Sequence, residues 1–437
     1  MIPARYRFSN PLVYATAALT ALASGVLLNP AGRRKTPAAT TRRHGLRIAL
    51  VSEFFYPTLG GIQDHLRYFA RELIARGHRP AIITPHVFGA GEFHNWWPRD
   101  LPASVHRATG YSLPFFVNGS LGRTATGWRV GHRLERLLTP ERFDLVHVHS
   151  PINGTLPILA LASSSVPVVG TFHTSFGSSA SLAVLKSLAQ KQIDALSAVI
   201  AVSPISLASI RQYLDLDATL IPNGIDVDQF RPWWEGEDDR LAEYRDGRIN
   251  IFSIGRPDPR NGLDAVIRAF ARVYRQDPRT RLMIAGDGEL MQHYRQMVDA
   301  LLPAGAVVFL GAVRDERPQL YRTADIHVFT VERAAFSVTL LEGMASGLPI
   351  ITTSWKGHEY MGQAGTHFVT VPFEDDRAIE QQLLAYINDP TERRAMGERA
   401  RAHALSFRWS AIADRILEVY DRVLEIRRPP FQLPTSA

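Results

Sequence analysis

A chain of 437 residues with 46% hydrophobic content is long enough for two packed domains and is not a disordered protein. It has no cysteine, which excludes disulfides, thiolate nucleophiles and Cys-based zinc sites. The formal charge of +7 is concentrated at the start: Arg5, Arg7, Arg33, Arg34, Lys35, Arg42, Arg43 and Arg47 all precede the first acid, Glu53, and the remainder carries 41 basic against 42 acidic residues, which argues against a polyanion-binding surface and against nucleic acid as a partner.

The first feature along the chain is an apolar run of 17 residues, "LVYATAALTALASGVLL" (12–28), with Arg5 and Arg7 before it and "GRRK" after it. That length is at the lower limit for a membrane-spanning helix, about 17 to 25 residues. The richer basic flank lies on the C-terminal side and keeps the body in the cytoplasm if the run inserts. A membrane anchor, a leader and a cleaved targeting signal all fit this segment, and residues 30–45, rich in Ala, Thr, Arg and Pro, read as a linker.

The body begins with the strand pattern "LRIALVS" (46–52), followed by "TLGGIQDH" (58–65) at the start of a helix predicted over 61–76, with Ile62, Leu66, Phe69, Leu73 and Ile74 on one face. Two readings fit Gly60 and Gly61. Glycine serves a tight turn, and it also lets a ligand approach the backbone at a helix N-terminus, where free N–H groups and the dipole favour an anion. Strands are predicted at 80–84, 144–149, 167–172, 198–203 and 218–222. Between the first two, "GSLGRTATGWRVGHRLERLL" (119–138) reads as an amphipathic helix with Arg129, Arg133 and Arg136 on or near one side and Trp128, Leu134 and Leu137 elsewhere, a pattern suited to an anionic membrane surface.

After a charged stretch at 231–248 the alternation restarts, with strands predicted at 249–255, 281–286, 307–311, 325–330 and 349–353. The fold class is therefore α/β, two doubly wound Rossmann-like domains joined near 230–248. The boundaries read as 1–45 leader or membrane anchor with linker, 46–230 first domain, 231–248 connection, 249–408 second domain, 409–426 a C-terminal helix and 427–437 a disordered tail. That helix carries Ile412, Ile416, Val419 and Val423 on one face.

In such sheets ligands bind beyond the carboxyl ends of the strands. There the second half places "GRPDPRNG" (255–262), "GDGEL" (286–290) and "VERAAFSVTLLEGMASGLPI" (331–350). Arg256, just past a strand, has the forked chemistry that grips a diphosphate, though a surface arginine fits the same position. By itself, a His after a strand, as at His173, is more often structural.

Taken together, Gly60-Gly61, "TFHT" (171–174), "AVIAVS" (198–203), "IPNGIDVDQF" (221–230), "GR" (255–256), "AGDGEL" (285–290), "FLGAV" (309–313) and "LLEGMASGLPI" (340–350) resemble, in that order, family 4 of the retaining glycosyltransferases, over roughly residues 46–425. Within it, "EFFYPTLGGIQDHLRYFARELIARGHRPAIITP" and "FVNGSLGR" look most like bacterial phosphatidylinositol mannosyltransferases, which use GDP-mannose. The resemblance implies the GT-B fold, with the C-terminal helix crossing back to the first domain. It implies a nucleotide sugar as substrate, no cofactor and no obligatory metal, a lipid-linked or glycan hydroxyl as acceptor, and work at the cytoplasmic face of a membrane. By position it implies donor-binding roles for Gly60, Gly61, Arg256, Arg260, Asn261, Phe336, Ser337 and Glu342, the last toward the ribose, with Phe336 and Ser337 offering backbone N–H groups to phosphate. Gly61, Arg256 and His173 become the catalytic set, and Gln63 and His173 face the acceptor.

Two positions depart from the family pattern. Asn261 and Gly262 stand where a lysine follows the diphosphate arginine, which leaves Arg260 as the nearest substitute. Ala334 stands where the first glutamate of the paired motif contacts the sugar, with Glu332 two residues away. A nucleotide-sugar epimerase of the same fold and a nucleotide-sugar-binding relative without turnover are the competing readings. Asp226 and Asp228 form an Asp-x-Asp string whose place in "NGIDVDQF" suits an interdomain turn better than a cation site.

Overall fold

The computed structural model describes residues 45–56, 60–87, 103–117, 120–125, 130–152, 154–175, 186–233 and 241–424, with 87, 108–117 and 120–125 described in backbone alone. The apolar run at 12–28, Trp128, Arg129, part of the 231–248 connection and the 427–437 tail lie outside the described residues.

The first sheet has eight strands: β1 (Arg47–Ser52), β2 (Arg79–Val87), β3 (Ser104–Val117), β4 (Ser120–Ala125), β5 (Leu145–His149), β6 (Val168–Phe172), β7 (Ala198–Ala201) and β8 (Thr219–Leu220). Their order is β4-β3-β2-β1-β5-β6-β7-β8, parallel throughout except for the β3–β4 hairpin. β1 lies between β2 and β5 in register, Ile48 opposite both Pro80 and Leu145, so the strand order reverses there and a crevice opens at the carboxyl ends of β1 and β5. The second sheet runs β11-β10-β9-β12-β13-β14, all parallel, from β9 (Ile249–Ile254), β10 (Thr280–Ala285), β11 (Val307–Gly311), β12 (Ile326–Phe329), β13 (Ile350–Thr353) and β14 (Val369–Val371). Its own reversal falls at β9, the strand that delivers Arg256.

The first helix, α1 (Gly61–Ala75), buries Leu66, Phe69 and Leu73 against β1 and its neighbours, at about 1.5–3 kcal/mol for each side chain. Five helices matter below: α1, α2 (Val130–Leu137), α3 (Arg317–Thr323), α4 (Val338–Ala345) and α5 (Trp409–Val423). In α5, Trp409, Ile412, Ile416, Val419 and Tyr420 are buried in the same core as Leu66 and Phe69, so the last helix of the chain packs on the first domain. The two strands of chain that cross between the domains bond to each other: Ile225 N–H donates to Phe407 O at 2.9 Å, and Trp409 N–H to Ile225 O at 3.2 Å. Gly224 admits no larger residue, because a Cβ there would sit 2.5 Å from the Trp409 ring.

The amphipathic helix expected over 119–138 is a correction. Residues 120–125 form β4, which pairs with β3 from Ser112 opposite Ala125 to Val117 opposite Ser120, and among the described residues the helix spans Val130–Leu137. The sequence signal for this hairpin was Asn118-Gly119, the strongest two-residue hairpin connection, between two alternating runs. Leu134 and Val130 of α2 are buried in the domain core, so its apolar side faces inward, while Arg133 and Arg136 are exposed. No helix among the described residues is long and apolar enough to cross a membrane.

Candidate active site

The glycine pair opens α1. Gly60 caps α1 with φ 162° and ψ 169°, extended backbone that any residue adopts, and Gly61 is the first helical residue. A Cβ on Gly61 would meet only Val338 Cγ2 at 3.5 Å, ordinary contact, and one on Gly60 would meet the movable Oε1 of Gln63 at 2.9 Å. The turn therefore does not require glycine at either position. Gln63, given an acceptor role by the resemblance, is buried with its amide folded back over Gly60.

The approach of Gly61 to Val338 has an electrostatic consequence. Both residues open helices, α1 in the first domain and α4 in the second, so two helix N-termini converge across the cleft. Their positive dipole ends repel one another unless an anion lies between them.

Arg256 is exposed just beyond β9, and Asn261 Nδ2 donates to its carbonyl at 2.5 Å. Asn261, standing in the lysine position, thus holds the backbone of the arginine loop. Arg260 is not available as a substitute cation in this arrangement, because its guanidinium forks onto Asp258 at 2.7 and 3.4 Å. Ser337 is also corrected: its hydroxyl accepts the N–H of Leu340 as the cap of α4, and its own N–H is directed at Met361 Sδ at 3.4 Å rather than at the cleft. The Phe336 ring stands 6.4 Å from that of Phe407. Ala334 uses its carbonyl to accept from Trp355 Nε1, and Glu332 is exposed and paired with Arg333 at 3.6 Å.

Glu342, on α4, is 2% exposed and lies 3.1 Å from a guanidinium nitrogen of Arg317 on α3. The same guanidinium reaches across the cleft to Asp64 of α1 at 2.7 Å, and Tyr56 Oη donates to the other Asp64 oxygen at 2.5 Å. Burial pushes the Glu342 carboxyl up to about 7, against the pull of Arg317. Burial also raises Asp64, but Arg317 and the Tyr56 hydrogen bond outweigh it and hold that carboxyl below its usual range. Arg317, lowered by burial and raised more strongly by its two carboxylates, ends well above its usual value. Asp64, Arg67 and Tyr68 from α1 and Arg314, Asp315 and Arg317 from the second domain line an interdomain cavity of about 280 Å³ that reaches Gly60.

The first domain contributes a histidine cluster. His147 and His149 occupy one face of β5 two residues apart, while Val146 and Val148 fill the core on the other. His173 follows β6, and His65 projects from α1. Nitrogens of His65, His149 and His173 lie within 4.8 Å of one another. Burial holds all four rings neutral, His65 at about 4, His147 at about 3, and His149 and His173 well below the usual imidazole value with their histidine neighbours adding to the effect. Asp226 shapes the turn between the domains: its Oδ1 accepts the N–H groups of Asp228 and Gln229, and its Oδ2 pairs with Arg71 at 2.6 Å.

Arg317, Asp64, His65 and His149 belong to the site, yet none stood out in the sequence. Their partners lie far along the chain, 253 residues in the case of Arg317 and Asp64.

Residues 59–229 match Glycosyltransferase Family 4, and residues 237–403 match Glycosyl transferases group 1. The chain is 28% identical over 385 residues to a phosphatidyl-myo-inositol mannosyltransferase of Mycolicibacterium smegmatis, covering 86% of this chain and 94% of the relative. It is 29% identical over 387 residues to the enzyme of that name from Mycobacterium leprae, covering 86% and 97%. A D-inositol 3-phosphate glycosyltransferase of Streptosporangium roseum is 26% identical over 428 residues, covering 87% and 94%. Among solved structures, Anabaena HepE in complex with UDP and glucose superposes with a TM-score of 0.68 at 18% identity, covering 86% of this chain and 99% of that one, which establishes the shared GT-B fold. With both domains matched and the two-sheet fold in common, the chain belongs to glycosyltransferase family 4 and is a glycosyltransferase.

Proposed function

We propose that the enzyme transfers mannose from GDP-mannose, with retention of configuration, to a hydroxyl of a lipid-linked acceptor at the cytoplasmic face of a membrane. The observation that carries the reading is the convergence of two helix N-termini at a glycine the fold does not require, a gap suited to the diphosphate of a nucleotide sugar. The choice of mannose and of a lipid acceptor is supported by the relatives with that activity.

In this reading Arg256 and the α1 and α4 N-termini stabilise the charge that grows on the diphosphate as the glycosidic bond breaks. The acceptor hydroxyl attacks from the face the diphosphate leaves, and a departing phosphate oxygen takes its proton. The protein supplies position and field rather than a covalent nucleophile. No cofactor or obligatory metal takes part. Glu342 accepts hydrogen bonds from the ribose, and His173 faces the sugar.

The test is nucleotide release by the full chain offered GDP-mannose, UDP-glucose and UDP-N-acetylglucosamine in turn, with and without mixed bacterial phospholipids. The expected result is GDP release that requires lipid and vanishes in Arg256→Ala. Release from a UDP sugar alone, or release independent of any acceptor, sinks the proposal.

Glu342 adds a pH dependence. Its folded-state pKa is raised to about 7, so the neutral form prevails below that pH and the carboxylate appears as pH rises through it. Affinity for intact GDP-mannose, measured by titration calorimetry, is expected to weaken up to about tenfold from pH 8 to pH 6, one proton being linked to one lost acceptor. Glu342→Gln should flatten the dependence; a steep dependence surviving in that variant assigns it elsewhere.

A further inference from the structure

We infer that His149 is a positioning residue for His173: its Nδ1–H donates to His173 Nε2, which fixes the proton of His173 on Nδ1. The inference rests on the reading above, in which His173 faces the transferred sugar.

The two rings meet edge to edge and nearly coplanar, centroids 5.2 Å apart and 22° between planes, with His149 Nδ1 2.9 Å from His173 Nε2. That separation belongs to a hydrogen-bonded pair. Two nitrogens on one tetrahedral zinc, each bonded at about 2.0–2.1 Å, stand about 3.3 Å apart.

Which ring donates follows from the far side of His149. Its Nε2 is buried and has no hydrogen-bond partner among the described residues. If His173 donated, the neutral His149 would carry its own proton on that Nε2, a buried N–H without an acceptor. Orphaned N–H groups are the rarer and costlier case, whereas an unoccupied acceptor lone pair is tolerated. The proton therefore sits on His149 Nδ1, directed at His173.

The same rule holds next door. His65 Nε2 is also buried without a partner, and its Nδ1 lies 2.9 Å from Asn223 Oδ1, so His65 donates to Asn223. From below, His147 stacks on His149 at 4.4 Å and is itself pinned at both nitrogens, 2.6 Å to Tyr420 Oη and 2.6 Å to Thr171 Oγ1. His149 is thereby held between a fixed ring and the one it orients. Because Tyr420 lies on α5, the C-terminal helix forms part of the support of the sugar-facing histidine.

The direct test is the tautomer of His173 in the full-length protein labelled with 15N-histidine, read from long-range 1H–15N correlations near pH 7.5 without donor. Signals are assigned by their loss in His173→Gln and His149→Phe. The expected result is Nδ1 protonation of both His149 and His173 in the wild type, and a shift of His173 toward the Nε2–H form in His149→Phe, which keeps an aromatic ring but no donor. With a donor that the enzyme turns over, His149→Phe should lower kcat about tenfold with donor KM little changed, and His149→Asn, whose amide nitrogen occupies the place of Nδ1, should recover most of it. Nε2 protonation of His173 in the wild type, a tautomer unmoved in His149→Phe, or a kcat unmoved when the tautomer shifts would each overturn the inference. The spectrum needs no substrate, so a failure of the mannosyl-transfer reading, seen as absent nucleotide release, is distinguishable from a failure of this one.

Discussion

Gly61→Ala is expected to leave the fold intact and to reduce nucleotide release about 100-fold. The added methyl would rest 3.5 Å from Val338 Cγ2, and the position does not have the positive φ that would strain an alanine. Alanine is also the better helix former, so unfolding stability should stay within about 1 kcal/mol of wild type. The same methyl enters the gap between the α1 and α4 N-termini, where the proposed diphosphate must lie against the backbone. A displacement of about 1 Å at a reacting group is worth on the order of 10²-fold in rate. The check pairs thermal unfolding with nucleotide release, and Gly60→Ala is the companion variant, since its methyl displaces only the amide of Gln63. Normal turnover in Gly61→Ala would show that the glycine is not there for the donor.

Arg317→Ala should be the most destabilising single change in the cleft. It removes the one cation shared by Asp64 and Glu342, whose side chains are 14% and 3% exposed, and leaves both carboxylates facing each other across the domain boundary. Breaking a buried pair by deleting one partner costs about 3–5 kcal/mol, and because 24% of the Arg317 side chain faces the cavity the lower end, about 3 kcal/mol, applies. Denaturant unfolding followed by tryptophan fluorescence measures it. Arg317→Met combined with Asp64→Asn and Glu342→Gln removes all three charges together and should recover much of the loss. If Arg317→Ala alone unfolds like the wild type, the bridge contributes nothing to closure. Because Arg317 already engages Glu342, the proposed ribose contact and this bridge draw on the same carboxylate, and nucleotide binding is expected to be altered in Arg317→Ala as well.

The two-domain α/β organisation was readable in the chain because it depends on local pattern. Buried parallel strands are short runs such as "INIFSI" and "RLMIA", and α1 announces itself through Leu66, Phe69 and Leu73 at helical spacing. The 119–138 segment differs from its helical pattern for a related reason: its arginines and leucines fit a helical wheel, while the Asn118-Gly119 pair at its start marks a hairpin. Within the site, Glu342 and Arg256 stand out by motif, while the pairing of Arg260 with Asp258, two residues away, does not.

By itself the sequence determined the alternation of strands and helices, the family, and the glycine pair at the start of a helix, all of which are written in neighbouring residues. Only the tertiary structure decided that the turn does not require either glycine, that Arg317 bridges Asp64 and Glu342, and that His149 hydrogen-bonds to His173. Each of these depends on the backbone angle at one residue or on groups 24 to 253 residues apart meeting within about 3 Å, and such meetings are set by how the two sheets and the returning C-terminal helix pack, not by any local run of side chains.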